Sequence, residues 1–158
     1  MTLILGKEYC KVDSNGRFKL PIALKRQMEG EDGRFVIRQS MYAKCLELWT
    51  YASFREEVEK LQERLNPYRR EERDLLRKMT EGNVIELDTN DRLLVPPEQK
   101  SVIAKAKEVV LQSTGKWIEL WDREAYDQMN QSTGNYSELA ESLLGAGDEP
   151  IAANEPKQ

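Results

Sequence analysis

At 158 residues, with 39% apolar residues and a net charge of −4, the chain is long enough for one domain or two small ones around a modest core. It contains no histidine and two cysteines. That excludes Ser-His-Asp and Cys-His nucleophile systems and Cys2His2 zinc sites, and the sequence separately lacks a phosphate-cradling glycine loop of either common type. No enzyme, cofactor or metal is expected. No run of eighteen apolar residues offers a membrane span, and the first residues lack the long apolar segment of a signal peptide. The expectation is a cytoplasmic protein in which Cys10 and Cys45 are buried, reduced thiols.

In chain order, a strand over Tyr9–Val12 runs into the polar turn Asp13-Ser14-Asn15-Gly16-Arg17, and a second strand continues to Leu20. Asn-Gly signals a tight turn because both residues tolerate positive φ. Pro21 opens a short helix, about Ile22–Met28, which Gly30 stops. A hairpin of Arg34–Arg38 with Cys45–Trp49 follows. Next, Phe54, Val58, Leu61 and Leu65 recur at helical spacing, with Ser53 and Glu56 forming a capping box. Asn66-Pro67 ends that helix and starts another through Met79, striped by Leu75, Leu76 and Met79. Residues 51–82 carry eight bases and eight acids, a mixed and solvated surface.

The pattern then returns. A strand over Val84–Leu87 precedes Asp88-Thr89-Asn90-Asp91-Arg92-Leu93-Leu94-Val95-Pro96, which aligns with the first turn at an offset of 75. Gln39-Ser40 matches Gln112-Ser113 at 73, and Cys45-Leu46-Glu47-Leu48-Trp49 matches Trp117-Ile118-Glu119-Leu120-Trp121 at 72. Ordered matches with a slowly shrinking offset mark an internal duplication. The domains are therefore expected at 5–50, 51–82 (helical insert), 83–131 and 132–158. The last holds five acids and one base, with one short amphipathic stretch at Leu139, Leu143 and Leu144, and disorder beyond Gly145.

The repeated Asp-x-Asn-x-Arg turn has two compatible readings. In one it is a hairpin turn made by Asp and Asn for backbone reasons, with the arginine pairing back to the aspartate. In the other, Asp13 and Asp88 brace turns that hold an arginine rigidly, and bidentate arginine on a two-stranded ribbon is suited to reading guanine in the major groove. Residues 1–30 carry six bases against three acids, which favours the second reading for the first copy. Lys11, Lys19 and Lys25 are candidate phosphate contacts. Trp49 and Trp121 end equivalent strands and are expected to pack in the core. Glu47 and Glu119 fit an alternating strand face better than a catalytic pair.

Gly6-Lys7-Glu8-Tyr9, the Asp13–Pro21 segment and Cys45–Trp49 resemble the first half of MraZ proteins. Leu87–Pro97 and Ile118-Glu119-Leu120-Trp121-Asp122 are similar to the second half. The likeness covers about residues 5–131. It implies a mostly β fold with accessory helices, in which two AbrB-type swapped-hairpin units form a pseudo-dimeric β-barrel. It implies a transcriptional regulator that binds double-stranded DNA direct repeats upstream of the division and cell-wall gene cluster, as a ring-like homo-oligomer at the nucleoid. By that likeness Asn15, Gly16 and Arg17 contact DNA, with Arg92 as the second-copy counterpart. Asp91 stands where the family has glycine. It places an acid beside Arg92, so the second turn is expected to be mainly structural, with Arg92 paired internally. An AbrB-like antitoxin and a structural oligomer without DNA function are the alternatives.

Overall fold

The structure is a computed structural model that describes residues 3–28, 32–103 and 107–145. The helix stop expected at Gly30 and the tail beyond Gly145 lie outside these residues. The chain divides after Ala125 into two units. Among the described residues the first holds eight strands: β1 (Lys7–Lys11), β2 (Arg17–Lys19), β3 (Arg34–Gln39), β4 (Leu46–Thr50), β5 (Asn83–Glu86), β6 (Arg92–Leu94), β7 (Glu108–Ser113) and β8 (Ile118–Asp122).

Six of these make one antiparallel sheet in the order β1-β7-β8-β4-β3-β5, while β2 and β6 pair with each other as a separate ribbon. The hairpins β3–β4 and β7–β8 form as the sequence predicts. The leading strand of each half, however, joins the hairpin of the other: β1 pairs with β7, and β5 with β3. Between the hairpins, β4 pairs with β8.

The expected barrel does not close, and the sheet stays open with β1 and β5 at its edges. The reason lies in β2 and β6. Each is three residues long and uses its ladder on the other, leaving a single bridge, Val12 to Phe18, toward the sheet. The register also corrects the alignment of the halves. Arg38 faces Glu47 and Gln112 faces Glu119, so the equivalent residues in β3 and β7 are 74 apart, one more than the Gln-Ser match indicates. A slip of one residue in a strand exchanges its faces.

One sheet face builds the main core. Ile37, Leu46, Leu48, Leu111, Ile118 and Leu120 lie buried there with Phe18 and Leu93 from the ribbon. Leu24 and Met28, from the short helix α1 (Ile22–Lys25) and the 3-10 turn Arg26–Met28, complete it. The opposite face packs against α2 (Tyr51–Arg64): Trp49 stacks on Trp117 at 5.0 Å between centroids and meets the edge of Phe54 at 5.6 Å. Trp49 and Trp121 are both buried, the packing role expected of them. The helix starts two residues before Ser53, because Thr50 is its N-cap and accepts the Ser53 N–H at 3.1 Å. A second insert helix, α3 (Arg70–Met79), buries Leu76, places Glu71 and Glu72 in its first turn and Arg77 and Lys78 in its last, and so complements its own dipole.

A polar row crosses the α2-bearing face at one register: Lys7, Gln112, Glu119, Glu47, Arg38. Glu47 accepts from Arg38 Nε at 2.8 Å and from Trp49 Nε1 at 3.0 Å. Glu119 accepts from Trp121 Nε1 at 2.9 Å. These repeated carboxylates thus anchor the repeated indoles. Both thiols are free. Burial, with Glu119 and Glu47 adding to it, pushes the Cys45 thiol up to about 12. Cys10, on the edge strand, is half-buried rather than buried; burial and then Glu8 push its thiol up to about 11.

The remaining helices are α4 (Arg123–Ser132) and α5 (Tyr136–Ala140), the latter continued by a π turn over Glu141–Gly145. Asn135 caps α5, its side chain accepting from the Ser137 and Glu138 amides. Leu139, Leu143 and Leu144, the expected amphipathic stretch, are all exposed. No helix among the described residues is long and apolar enough to cross a membrane.

Candidate nucleic-acid interface

The two Asp-x-Asn-x-Arg turns fold alike. In the first, Asp13 Oδ1 accepts the Asn15 and Arg17 amides, each at 2.9 Å. In the second, Asp88 Oδ1 accepts the Asn90 amide at 2.8 Å and the Arg92 amide at 3.0 Å. Each aspartate therefore braces its turn through the arginine's backbone, and the guanidinium is not the partner. Main-chain bonds close the loops: Asp13 N–H to Arg17 O at 2.9 Å, and Asp88 N–H to Arg92 O at 2.9 Å. Positive φ falls on Gly16 (88°) and Asp91 (61°), not on the asparagines. Asp91 thus takes the left-handed conformation that glycine takes in the first copy, at more cost than glycine.

Beyond the turns the chain enters the ribbon. Its register pairs Arg17 with Leu94, Phe18 with Leu93, and Lys19 with Arg92. Strand alternation puts Phe18 and Leu93 inward, where both are buried, and Arg17, Lys19, Arg92 and Leu94 together on the outer face. Three bases and no acid occupy that face. Lys19 and Arg92 are exposed and stand directly across the ribbon from each other, a like-charge pair that destabilises an antiparallel ladder. The turns feel one another as well. The Asp13 carboxyl is held below its ordinary value by the Arg17 amide first, then by the Asn15 amide and the Arg17 and Arg92 guanidinium charges. Asp88 is lowered in the same way by the Arg92 and Asn90 amides, then by Arg92 and Arg17.

The expected internal pairing of Arg92 is not what forms. Among the described residues its side chain has no ion pair, and Asp91 is held instead by Lys25, Nζ to Oδ1 at 2.9 Å. The physical reason is the positive φ at Asp91 and the ribbon's alternation, which place the neighbouring side chains on different sides. Lys11 sits at the end of β1, outside the ribbon strands. With Lys19 it lines an open cleft of about 460 Å³ whose walls include Tyr9 and Ile22. Of the sequence candidates, the fold brings Arg17, Lys19 and Arg92 onto one face and leaves Lys11 beside it. Asn15 is exposed at the first turn, and Gly16 is buried.

The braces make a pH prediction. Because the folded carboxyls lie below their ordinary value of 3.8, each brace is fully present above that value and is lost only as pH falls through the lowered one. In an NMR titration the Asn15, Arg17, Asn90 and Arg92 amides are expected to move together, with midpoints below 3.8. A midpoint at or above the ordinary value, or amides that move independently of their aspartate, contradicts the brace. Asp13→Ala is expected to abolish the first-turn transition and leave the second intact.

Comparison with known proteins agrees with the resemblance in the motifs. A family model described as "MraZ protein, putative antitoxin-like" matches residues 79–145. A protein of Christiangramia forsetii named transcriptional regulator MraZ is 34% identical over 152 residues, covering 94% of this chain and 97% of its own length. The Flavobacterium psychrophilum protein of the same name is 34% identical over 149 residues, covering 92% and 94%. One from Finegoldia magna is 31% identical over 143 residues, covering 89% and 96%. Identity at this level over nearly the whole of both chains places the sequence with them: this chain belongs to the MraZ family.

Proposed function

We propose that this chain is a sequence-specific DNA-binding transcriptional regulator that reads duplex DNA with the outer face of the β2–β6 ribbon. One observation carries the reading. The ribbon keeps Lys19 and Arg92 opposed, with Arg17 beside them and no acid among them, an arrangement that costs stability unless a polyanion meets it. Relatives named as transcriptional regulators agree with it. A two-stranded ribbon fits the major groove, where arginine recognises guanine bidentately. Arg17, Lys19 and Arg92 are the contacts on the ribbon face, Asn15 approaches the backbone at the first turn, Gly16 is buried and shapes that turn without reaching the DNA, and Lys11 adds a flanking charge. Asp13 and Asp88 act only through the backbone they brace.

The organisation fits two AbrB-like units, 5–50 and 83–131, separated by a helical insert at 51–82 and followed by an acidic tail at 132–158. The exchange of leading strands between the hairpins supports a swapped-hairpin description. The full reading adds a ring-like homo-oligomer on direct repeats upstream of the division and cell-wall gene cluster, in the cytoplasm at the nucleoid, with no enzymatic activity.

Fluorescence anisotropy with a labelled duplex from upstream of the protein's own gene tests it. Arg17→Ala is expected to lose about 1–3 kcal/mol for each contact broken and to relax sequence preference. Arg92→Ala is expected to lose less, because the Asp88 and Asp91 carboxylates leave the second turn less positive than the first. A wild-type protein that binds this duplex no better than a shuffled one overturns the reading and leaves an oligomer without DNA function.

A further inference from the structure

The offset of 75 that relates Gly16 to Asp91 also relates Lys25 to Lys100. The structure places each lysine on the turn of the opposite half. Lys25 Nζ lies 2.9 Å from Asp91 Oδ1. Lys100 lies across Gly16: its Cε is 2.5 Å, and its Nζ 3.2 Å, from where a Cβ on that glycine would stand. The main chain repeats the relation, with Leu20 N–H donating to Asp91 O at 2.9 Å and Val95 N–H donating to Gly16 O at 3.0 Å. Only the residue beneath the lysine differs, a carboxylate in one copy and a hydrogen in the other.

That difference sets the charge of the turns. Around the first, Asp13 is opposed by Arg17 and Lys100, so the turn is net positive. Around the second, Asp88 and Asp91 are opposed by Arg92 and Lys25, so it is neutral. Among the described residues Lys100 has no ion pair, and its ammonium stands over Gly16, which has no side chain to receive it. An unneutralised Asp91 beside Arg92 would repel any phosphate approaching the ribbon.

Resting on the DNA-reading ribbon, we propose that Lys25 and Lys100 are lent by each half to the other's turn: Lys100 adds a phosphate-contacting cation to the Arg17 turn, and Lys25 is a positioning residue that holds the Asp91 carboxylate away from DNA so that Arg92 remains usable. The two lysines therefore have different chemical roles although they occupy equivalent places. Lys100 acts by its own charge. Lys25 acts only because Asp91 is there.

The test is a cycle of Lys25→Ala, Asp91→Gly, the double variant and Lys100→Ala, in the full-length protein. It uses the upstream duplex across a salt series, with thermal unfolding measured alongside. Lys100→Ala is expected to weaken binding about tenfold at low salt and to flatten the log K against log salt slope by about 0.9 per lost phosphate contact. Lys25→Ala is expected to lose a similar amount, and Asp91→Gly to restore that variant to within about twofold of Asp91→Gly alone. Asp91→Gly does not rescue Lys100→Ala. A Lys25→Ala loss that persists in the Asp91→Gly background overturns the proposal, as does wild-type binding in both lysine variants while Arg17→Ala binds poorly. In those cases the ribbon reading stands. Absence of preferential binding by the wild type overturns both. The salt slope separates the Lys100 role from a structural one, since a merely loosened turn loses affinity without shedding a cation, and the Asp91→Gly rescue does the same for Lys25.

Discussion

Arg38→Leu is expected to destabilise the fold by about 3–5 kcal/mol, measured by urea unfolding, whereas Arg38→Leu combined with Glu47→Leu recovers most of the loss. Arg38 and Glu47 are 8% and 5% exposed, and the guanidinium Nε meets Glu47 Oε1 at 2.8 Å. The guanidinium also donates to the Met79 carbonyl, which ties the end of α3 to the sheet. It lies 5.4 Å from the Trp49 ring centroid and 5.3 Å from that of Phe54. Removing it strands a buried carboxylate, and Glu47 stands directly opposite Glu119 on β8. Two facing carboxylates repel, and without Arg38 the cation left in the row is Lys7, which is separated from Glu119 by Gln112. Removing both partners takes away that buried charge along with its counter-charge, which is why the double variant is expected to be milder than either single one. Against a typical total of about 5–15 kcal/mol, the single change leaves a marginal protein. A single-variant loss below about 1 kcal/mol, or a double variant worse than Arg38→Leu, shows that the pair is not what holds the row together.

The features legible in the sequence are those written locally. Each Asp-x-Asn-x-Arg turn needs its residues within five positions, so both occurrences are readable as strings. The hairpins β3–β4 and β7–β8 were legible for the same reason. Barrel closure was not, because it depends on how far β2 and β6 run before pairing with each other, and three residues of strand carry little pattern. Asn-Gly allows positive φ at either residue, and the bond from Gly16 N–H to Asp13 O at 3.0 Å goes with its falling on the glycine. Thr50 and Ser53 both offer a capping hydroxyl, and only the end of β4 decides between them. Adjacency in sequence suggests that Asp91 pairs with Arg92, whereas the partner of Asp91 is 66 residues away. The offset of 75 did contain the clue to Lys25 and Lys100, since it maps one onto the other. What it lacked was the knowledge that the halves exchange partners, which only the ladder pairing supplies.

Cutting a target from several direct repeats to one is expected to weaken binding by about 10²–10⁴-fold, far more than any single ribbon contact is worth. The argument starts from charge. A chain of net −4 presents only Arg17, Lys19 and Arg92 on its ribbon face, with Lys11 and Lys100 beside them. A handful of cations gives a modest electrostatic gain, most of it lost by physiological salt. If identical ribbons are carried on a ring, the first contact raises the effective concentration of the second, and affinity grows with repeat number without any new chemistry. Geometry then becomes decisive. Inserting about five base pairs between repeats turns the next groove to the far side of the duplex, and inserting about ten returns it. Anisotropy with one, two and three repeats, and with both insertions, measures the effect. Steep dependence on number, loss at the half-turn and recovery at the full turn are the expected set. Equal affinity for one and three repeats means that each ribbon acts alone, and the basis for specificity then has to be found in the base contacts of a single protomer.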